Sequence, residues 1–116
     1  MSRKPWHIVK EDGAVTVARR LPVRFDFCAA ADFPRCGSVK LAQQIRQDMW
    51  RALQSLQGFS PIVRVEINGG TMRVLAGGQV DKRYPRAQVI ETVSTLLNSP
   101  SHRTRWVAYA GGQRNA

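Results

Sequence analysis

The sequence has no long apolar run, only two cysteines and few acidic residues, and each shortage argues against a class of protein. No window approaches the run of about 18 apolar residues that a membrane helix needs. The opening residues MSRKPWHIVKEDG lack the apolar run of about seven or more found in a secretory signal. Cys28 and Cys36 are too few for a secreted disulfide scaffold. We therefore expect a cytoplasmic protein that does not enter a membrane.

The shortage of acids leaves a large positive charge. Eight acidic residues stand against 18 basic ones, which gives a net charge of +10 and a pI of about 11.1. A pI above about 9 is typical of nucleic-acid-binding domains. Most of the basic residues are arginine, which suits bidentate contacts to phosphate. A GC-rich genome would give the same arginine bias, so composition leaves both explanations open.

The length and the apolar content predict one folded domain. A chain of 116 residues lies in the commonest domain size range. At this size about two thirds of the unfolded chain's surface can be buried, and 43% of the residues are hydrophobic. Stability should therefore require neither a metal nor a disulfide. Residues 1–5 and 111–116 are predicted to be frayed.

Local patterns predict the element order β-β-β-α-β-β-(β)-α-α. The strand-like segments are residues 6–9, residues 14–18, residues 23–28, two strands within residues 61–78, and an optional edge strand at residues 79–83. The helical segments are residues 39–57, a second from Pro85 to about Asn98 and a third from Pro100 to about Ala110. This order predicts an α+β fold, an antiparallel sheet of about five strands with a long helix and two shorter C-terminal helices packed on one face.

Turn and cap residues predict the boundaries of these elements. Asp12-Gly13 is typical of a hairpin turn, and Gly77-Gly78 allows a second sharp turn. Residues 29–37 read as a connection into the first helix. The predicted helix boundaries are Ser38 as an N-cap, Gly58 as a C′ residue, Pro85 at N1 and Ser99-Pro100 as N-cap and N1.

The hairpin within residues 61–78 allows two registers, which differ in the charges they bring together. A turn on Gly69-Gly70 sets Glu66 opposite Arg73, whereas a turn on Asn68-Gly69 sets Arg64 opposite Arg73. Like charges directly opposite each other are unfavourable. We therefore predict the Gly69-Gly70 turn, although Asn-Gly is the better turn dipeptide.

The first helix carries an apolar stripe, and Trp50 falls beside it on a flank that it shares with Arg46. The stripe consists of Ala42, Ile45, Met49, Leu53 and Leu56. Burying a tryptophan is worth about 4–6 kcal/mol, against about 1–3 kcal/mol for stacking one base on an exposed ring. We therefore expect Trp50 to cap the edge of the core with Arg46 laid across it. Trp6 and Trp106 should also be packing residues, and Asp48 should lie on a solvated helix face.

Residues 38–98 are similar in element order to the double-stranded RNA-binding domain, which has a helix, strands and a second helix. The segment KRYPRA, residues 82–87, is similar to the basic start of that family's second helix. Pro85 departs from the motif, and a Gly-Gly turn stands where the family has a His-containing loop. The resemblance covers about half of the chain and, being one of order, implies no function.

Residue patterns for catalysis or metal binding are scarce. The two cysteines, with His7 and His102, have no CxxC or HxxxH spacing, and no GxxxxGK[ST] or GxGxxG motif occurs. We expect no cofactor, no metal site and no catalytic residues. A small enzyme that uses Cys28 or Cys36 with a histidine stays open as a third possibility.

Basic residues interleaved with aromatics are the remaining signal. The candidate nucleic-acid-binding residues are Lys82, Arg83, Arg86, Arg46, Arg51, Trp50 and Lys40. Three of them surround the start of the second helix, where the helix dipole adds to the attraction for anions. The leading hypothesis is a non-catalytic module that binds the phosphates of DNA or RNA. The alternative is an accessory subunit that binds an acidic protein, or that self-associates through Trp106, Val107 and Ala110.

Overall fold

The computed structural model describes residues 6–111. The elements are β1 (His7–Glu11), β2 (Ala14–Ala18), β3 (Phe27–Pro34), α1 (Ser38–Ala52), β4 (Phe59–Asn68), β5 (Thr71–Val80), α2 (Arg86–Leu97) and α3 (Pro100–Tyr109). The five strands form one antiparallel sheet in the order β1-β2-β4-β5-β3. The α+β prediction is therefore confirmed. The predicted fraying at 1–5 and at 112–116 lies outside the described residues.

One face of the sheet packs against the helices and forms the core. Its centre is a cross-strand set of small and β-branched residues, in which Val17 pairs with Val63 and Val65 with Val74. The predicted stripe of α1 lies against this face, with Ala42, Ile45, Met49 and Leu53 buried and Leu56 partly buried. Each fully buried Ile, Leu or Met side chain is worth about 1.5–3 kcal/mol, so this face carries most of the stability of the fold. Among residues 6–111, no helix has the length and apolar character of a membrane span.

The predicted turns at Asp12-Gly13 and at Gly69-Gly70 are confirmed. Glu11 pairs with Ala14 across Asp12-Gly13, and Gly13 adopts a φ of 73°, which favours glycine. The second hairpin turns at Gly69-Gly70, because Asn68 pairs with Thr71 and Glu66 stands opposite Arg73. Cross-strand charge therefore predicts the correct register.

The third strand begins later than the alternation of residues 23–28 predicts. β3 spans residues 27–34, most of the segment that was predicted to be a connection. It alternates as well, with Phe27, Ala29 and Phe33 buried on the helix side. Residues 23–28 and residues 27–34 therefore both show the two-residue alternation of a strand. Pairing with β5 determines that the second segment forms the strand. The small alanines also leave room for α2 to pack over this strand.

The predicted turn at Gly77-Gly78, and with it the edge strand at 79–83, is wrong. β5 runs straight through both glycines to Val80, between β3 on one side and β4 on the other. A Cβ on Gly77 would collide with the Phe27 carbonyl oxygen and lie 2.7 Å from the Cys28 Cα. A Cβ on Gly78 would collide with the Ser60 carbonyl oxygen. The glycines therefore serve close backbone approach within the sheet.

The helix boundaries differ from the prediction mainly at the end of α1. That helix ends at Ala52, and the predicted C′ residue Gly58 lies instead in the turn before β4, with a φ of 74°. Leu53 and Leu56 fit the apolar stripe, so periodicity alone extends the helix too far. At the helix starts, Gly37 and not Ser38 is the N-cap of α1, Pro85 is the N-cap of α2 and not its N1 residue, and Ser99 is an N-cap as expected.

The close approach at Gly77 generates a stability prediction. We expect Gly77→Ala to lower the free energy of unfolding by about 1–3 kcal/mol, the usual cost of overpacking. Gly70→Ala is the matched control, because its Cβ would meet no atom of residues 6–111 within 4 Å, and we expect a change within about 0.5 kcal/mol. Urea denaturation followed by circular dichroism measures both. Equal stabilities of the two variants would contradict this account of β5.

Candidate nucleic-acid interface

Three chain segments meet at one end of the sheet. They are residues 19–26 after β2, residues 53–58 before β4, and residues 81–86 after β5. Strand pairing brings their ends together, because Phe59 pairs with Val80 and Phe27 with Gly78. Their charged residues are Arg19, Arg20, Arg24, Asp26, Asp81, Lys82, Arg83 and Arg86. We call these three segments, together with Arg46 of α1, the basic end.

Two of these cations are neutralised by the two acids of the basic end. Arg20 forms an ion pair with Asp81 at 2.8 Å, and Arg24 one with Asp26 at 3.1 Å. The hydrogen bond from Arg24, with a second from the Val80 amide, lowers the pKa of the Asp26 carboxyl. Within residues 6–111, the cations of the basic end that form no ion pair are Arg19, Arg46, Lys82, Arg83 and Arg86.

The sheet face away from the helices is electrically different. Arg64 pairs with Glu11 at 2.8 Å and with Glu66 at 2.9 Å, which raises the pKa of its guanidinium. Arg73 lies 3.6 Å from Asp32 on the same face. Three acids therefore neutralise two arginines there. The surplus positive charge of the described residues is found elsewhere, and the basic end holds a large share of it.

A cleft of about 590 Å³ opens at the basic end, between α1 and the neighbouring ends of the strands. Trp6, Arg19, Arg46, Trp50 and Phe59 are among the side chains that line it. Arg46 and Trp50 lie one helical turn apart on α1 and therefore share a face. The cleft thus combines aromatic rings with guanidinium groups at one place.

Trp50 stands at the border of the core, but much of its ring is accessible. It stacks on Phe59 with ring centroids 6.3 Å apart and an angle of 10° between the planes. The residue is nevertheless 43% exposed, at the cleft. Arg46 was expected to cover Trp50, and this is wrong, because Arg46 lies over the Trp6 ring instead. Trp50 therefore offers an aromatic surface at the mouth of the cleft.

Two guanidinium groups share the Trp6 ring. The Arg46 and Arg19 Cζ atoms lie 4.4 Å and 5.0 Å from its centroid. Burial lowers the pKa of Arg46, and the positive charge of Arg19 adds to the effect. The Arg46 Nε is buried and has no hydrogen-bond acceptor among residues 6–111. A guanidinium group that lies over an aromatic ring keeps its terminal N–H groups available to donate to an anion.

The structure gathers most of the predicted site residues but not all. Arg46 and Trp50 line the cleft, and the Lys82 side chain runs past Gly58 in its wall. Arg83 and Arg86 are exposed beyond it, with the Arg86 Nε donating to the Asp26 carbonyl at 3.3 Å.

Arg51 and Lys40 lie away from the cleft. Arg51 donates to Asp48 at 3.1 Å, toward α3. Lys40 is in the first turns of α1, about 15 Å along the helix axis from Trp50.

Sequence reasoning missed Trp6, Arg19 and Arg20 as members of this site. The signal lies in the first hairpin, whose two-residue turn pairs His7 with Ala18. Continuing that register by one step brings Trp6 opposite Arg19. The strand pattern alone is therefore sufficient to associate an aromatic ring with a cation.

Asp48 is buried, so its assignment to a solvated helix face is wrong. It is 9% exposed and accepts hydrogen bonds from the Trp106 indole Nε1 at 2.8 Å, from Arg51 and from Arg105. These contacts connect α1 to α3. A buried carboxylate needs such donors, because ionised groups are costly to remove from water.

The apolar residues of α3 are covered. Trp106 is 0% exposed, which confirms its role in packing, and Ala110 is buried as well. Val107 is half-buried against the core. These are the side chains that favoured self-association, and the structure leaves little of their surface for a partner.

The cysteines and histidines form no metal cluster in the described part of the chain. Cys28 is exposed on β3, and Cys36 is half-buried, which raises the pKa of its thiol. A raised pKa reduces the thiolate fraction on which nucleophilic reactivity depends. The His102 Nδ1 lies 2.8 Å from the Ser99 hydroxyl oxygen.

Comparisons of the chain with protein-family models, with curated proteins and with solved structures found no match. The function of the chain therefore has to be inferred from its own side chains.

The contacts of Asp48 predict a large difference between two aspartates. We expect Asp48→Ala to lower the free energy of unfolding by about 1–3 kcal/mol, because the buried indole N–H of Trp106 loses its acceptor. Asp81→Ala removes an ion pair between half-exposed side chains and should cost less than about 1 kcal/mol. Denaturant unfolding at neutral pH compares them. A loss for Asp81→Ala as large as that for Asp48→Ala would refute the assignment of Asp48 as the buried link between α1 and α3.

Proposed function

We propose that this protein is a non-catalytic nucleic-acid-binding module whose basic end contacts the phosphates of DNA or RNA. The observation that carries the proposal is the uneven pairing of charge. Five cations of the basic end lack an acidic partner among residues 6–111, while the acids of the sheet face neutralise the arginines beside them. Cations that are not paired within the protein can displace counterions from a polyanion, which is the main source of affinity for nucleic acids.

The start of α2 adds to this attraction. Lys82 and Arg83 precede the helix, Arg86 is its first residue, and its first turn contains no acidic residue. Positive side chains at this position oppose the helix dipole, so the arrangement costs stability in the free protein. A bound phosphate would interact favourably with both the helix dipole and the positive side chains. Such a local conflict is typical of a functional surface.

The aromatic side chains favour a nucleic acid over an acidic protein. An acidic protein would need only the cations of the basic end, whereas bases can also use exposed rings for stacking. Trp50 supplies such a ring beside Arg46. The self-association alternative rested on α3 side chains that are largely covered. A cytoplasmic location stays a prediction.

The proposal predicts a strong dependence of binding on salt. Contact with about five phosphates makes log K fall with log salt at a slope of about −4 to −5 for duplex DNA, and about −3.5 for a single strand. Replacing Lys82, Arg83 and Arg86 together by glutamine should weaken binding and reduce the magnitude of the slope by about 2 to 3. Fluorescence anisotropy of labelled oligonucleotides at several salt concentrations measures both quantities.

Arg73→Gln is the matched control for this experiment. It also removes one positive charge, but from the sheet face, where Asp32 and Glu66 stand beside it. We expect its salt slope to equal that of the unmodified protein. Absence of binding to every oligonucleotide at low salt would exclude this function. So would equal losses of affinity in Arg73→Gln and in the single substitution Arg83→Gln, which removes one cation of the basic end.

A further inference from the structure

The cleft at the basic end has the size of a site for a small group and not of a groove for a double helix. Its volume of about 590 Å³ lies within the range of about 300–1,000 Å³ that is usual for small-molecule and cofactor sites. The bases of a duplex are stacked on each other and present only their edges. An aromatic ring inside a concave cleft can reach a base only if that base is unpaired.

One wall of the cleft fits a phosphate. Arg19 and Arg46 both stack on Trp6, and neither forms an ion pair within residues 6–111. The two groups repel each other, and the Arg46 Nε is buried without an acceptor in the described part of the chain. An anion in the cleft would offset the charge of both guanidinium groups and accept hydrogen bonds from their accessible terminal N–H groups. The third arginine of the wall, Arg20, is already engaged by Asp81.

The part of the cleft around Trp50 fits a base. Trp50 is held on one side by stacking on Phe59, which itself stacks on Phe27 with centroids 5.9 Å apart. The Trp50 residue as a whole is nevertheless 43% exposed. Trp50 also lies one helical turn, about 5.4 Å along the axis, from Arg46. One nucleotide can therefore place its base on Trp50 and a phosphate near Arg46.

We propose that the cleft binds one unpaired nucleotide of a single-stranded nucleic acid, with its base stacked on Trp50 and an adjoining phosphate held by Arg19 and Arg46. This inference rests on the proposed function and adds the substrate class to it. The basic residues at 82–86 then follow the backbone outside the cleft. The protein therefore prefers single strands to duplexes, whichever sugar the strand carries.

The test compares three labelled probes of the same length in the same buffer. They are an oligothymidylate, an oligouridylate and the duplex of the oligothymidylate with oligodeoxyadenylate. We expect the two single strands to bind more tightly than the duplex. Trp50→Ala should weaken single-strand binding about 5- to 150-fold, the equivalent of about 1–3 kcal/mol for one stacked base, and should leave duplex binding unchanged.

Three further variants test the assignment of the site. Trp50→Phe keeps a ring on Phe59 and should retain most of the single-strand affinity, so it answers the question even if Trp50→Ala is unfolded in a thermal melt. Tyr109→Ala removes an aromatic residue that is 59% exposed on α3, outside the residues that line the cleft, and should change neither affinity. Arg46→Gln should weaken binding of the single strands more than binding of the duplex.

The outcomes distinguish the two proposals. Equal affinity for single strands and duplex, with no effect of Trp50→Ala, would overturn the unpaired-nucleotide site and leave the nucleic-acid-binding function standing. Absence of salt-dependent binding to all three probes would overturn both. Loss of single-strand binding in Tyr109→Ala equal to that in Trp50→Ala would also overturn the site, because the effect would then not belong to the cleft.

Discussion

The close backbone approach at Gly77 and Gly78 determines where the positive charge of this protein is concentrated. Because no Cβ separates β5 from its neighbours there, β5 continues to Val80 between β3 and β4. Residues 81–86 therefore emerge at the same end of the sheet as residues 19–26. A turn at the two glycines would have reversed the chain earlier and carried Lys82 and Arg83 away from this end. A packing constraint inside the sheet thus brings the cations of the basic end together at one end of the sheet.

The distribution of acids is as important as the excess of bases. A net charge of +10 on 116 residues favours association with polyanions in general but does not say which surface binds them. The structure shows where pairing is complete and where it is not. Glu11, Glu66 and Asp32 balance the sheet face, and Asp48 engages Arg51 and Arg105. Among the residues that the structure describes, Arg46 and Arg19 have no such partner and lie beside Trp6, which gives the cleft its chemical character.

Much of the fold follows from local sequence patterns, because its elements carry strong local signals. The hairpin turns, the stripe of α1, α2 and α3 all have a turn residue, a cap or a clear period. The errors occur where two segments satisfy the same pattern, as with the alternation before and after Phe27. They also occur where a residue has a tertiary role, as with the double glycine in β5. Such roles depend on neighbouring strands, which a local window does not contain.

The candidate site was only partly predictable for a related reason. Charge and aromatic content identified Arg46, Trp50 and Lys82. Along α1, however, nothing in the sequence distinguishes Arg46 from Arg51, whose partner Asp48 is buried. Asp48 looks solvated in the sequence because its donors come from α3 as well as from its own helix. The association of Trp6 with Arg19 required the hairpin register to be extended by one residue. Which residues belong to the site therefore depends on contacts between different helices and strands.

The stacked rings behind the cleft have a thermodynamic consequence for any ligand. Trp50 rests on Phe59, Phe59 on Phe27, and the Phe27 ring lies 5.9 Å from that of Tyr84, so a row of aromatic residues extends from α1 to the start of α2. The outermost ring is already held in place by the ones beneath it. A planar ligand that stacks on Trp50 would add one ring to this row and restrict little further side-chain motion. Most of the side-chain entropy is therefore lost when the chain folds and not when the ligand binds.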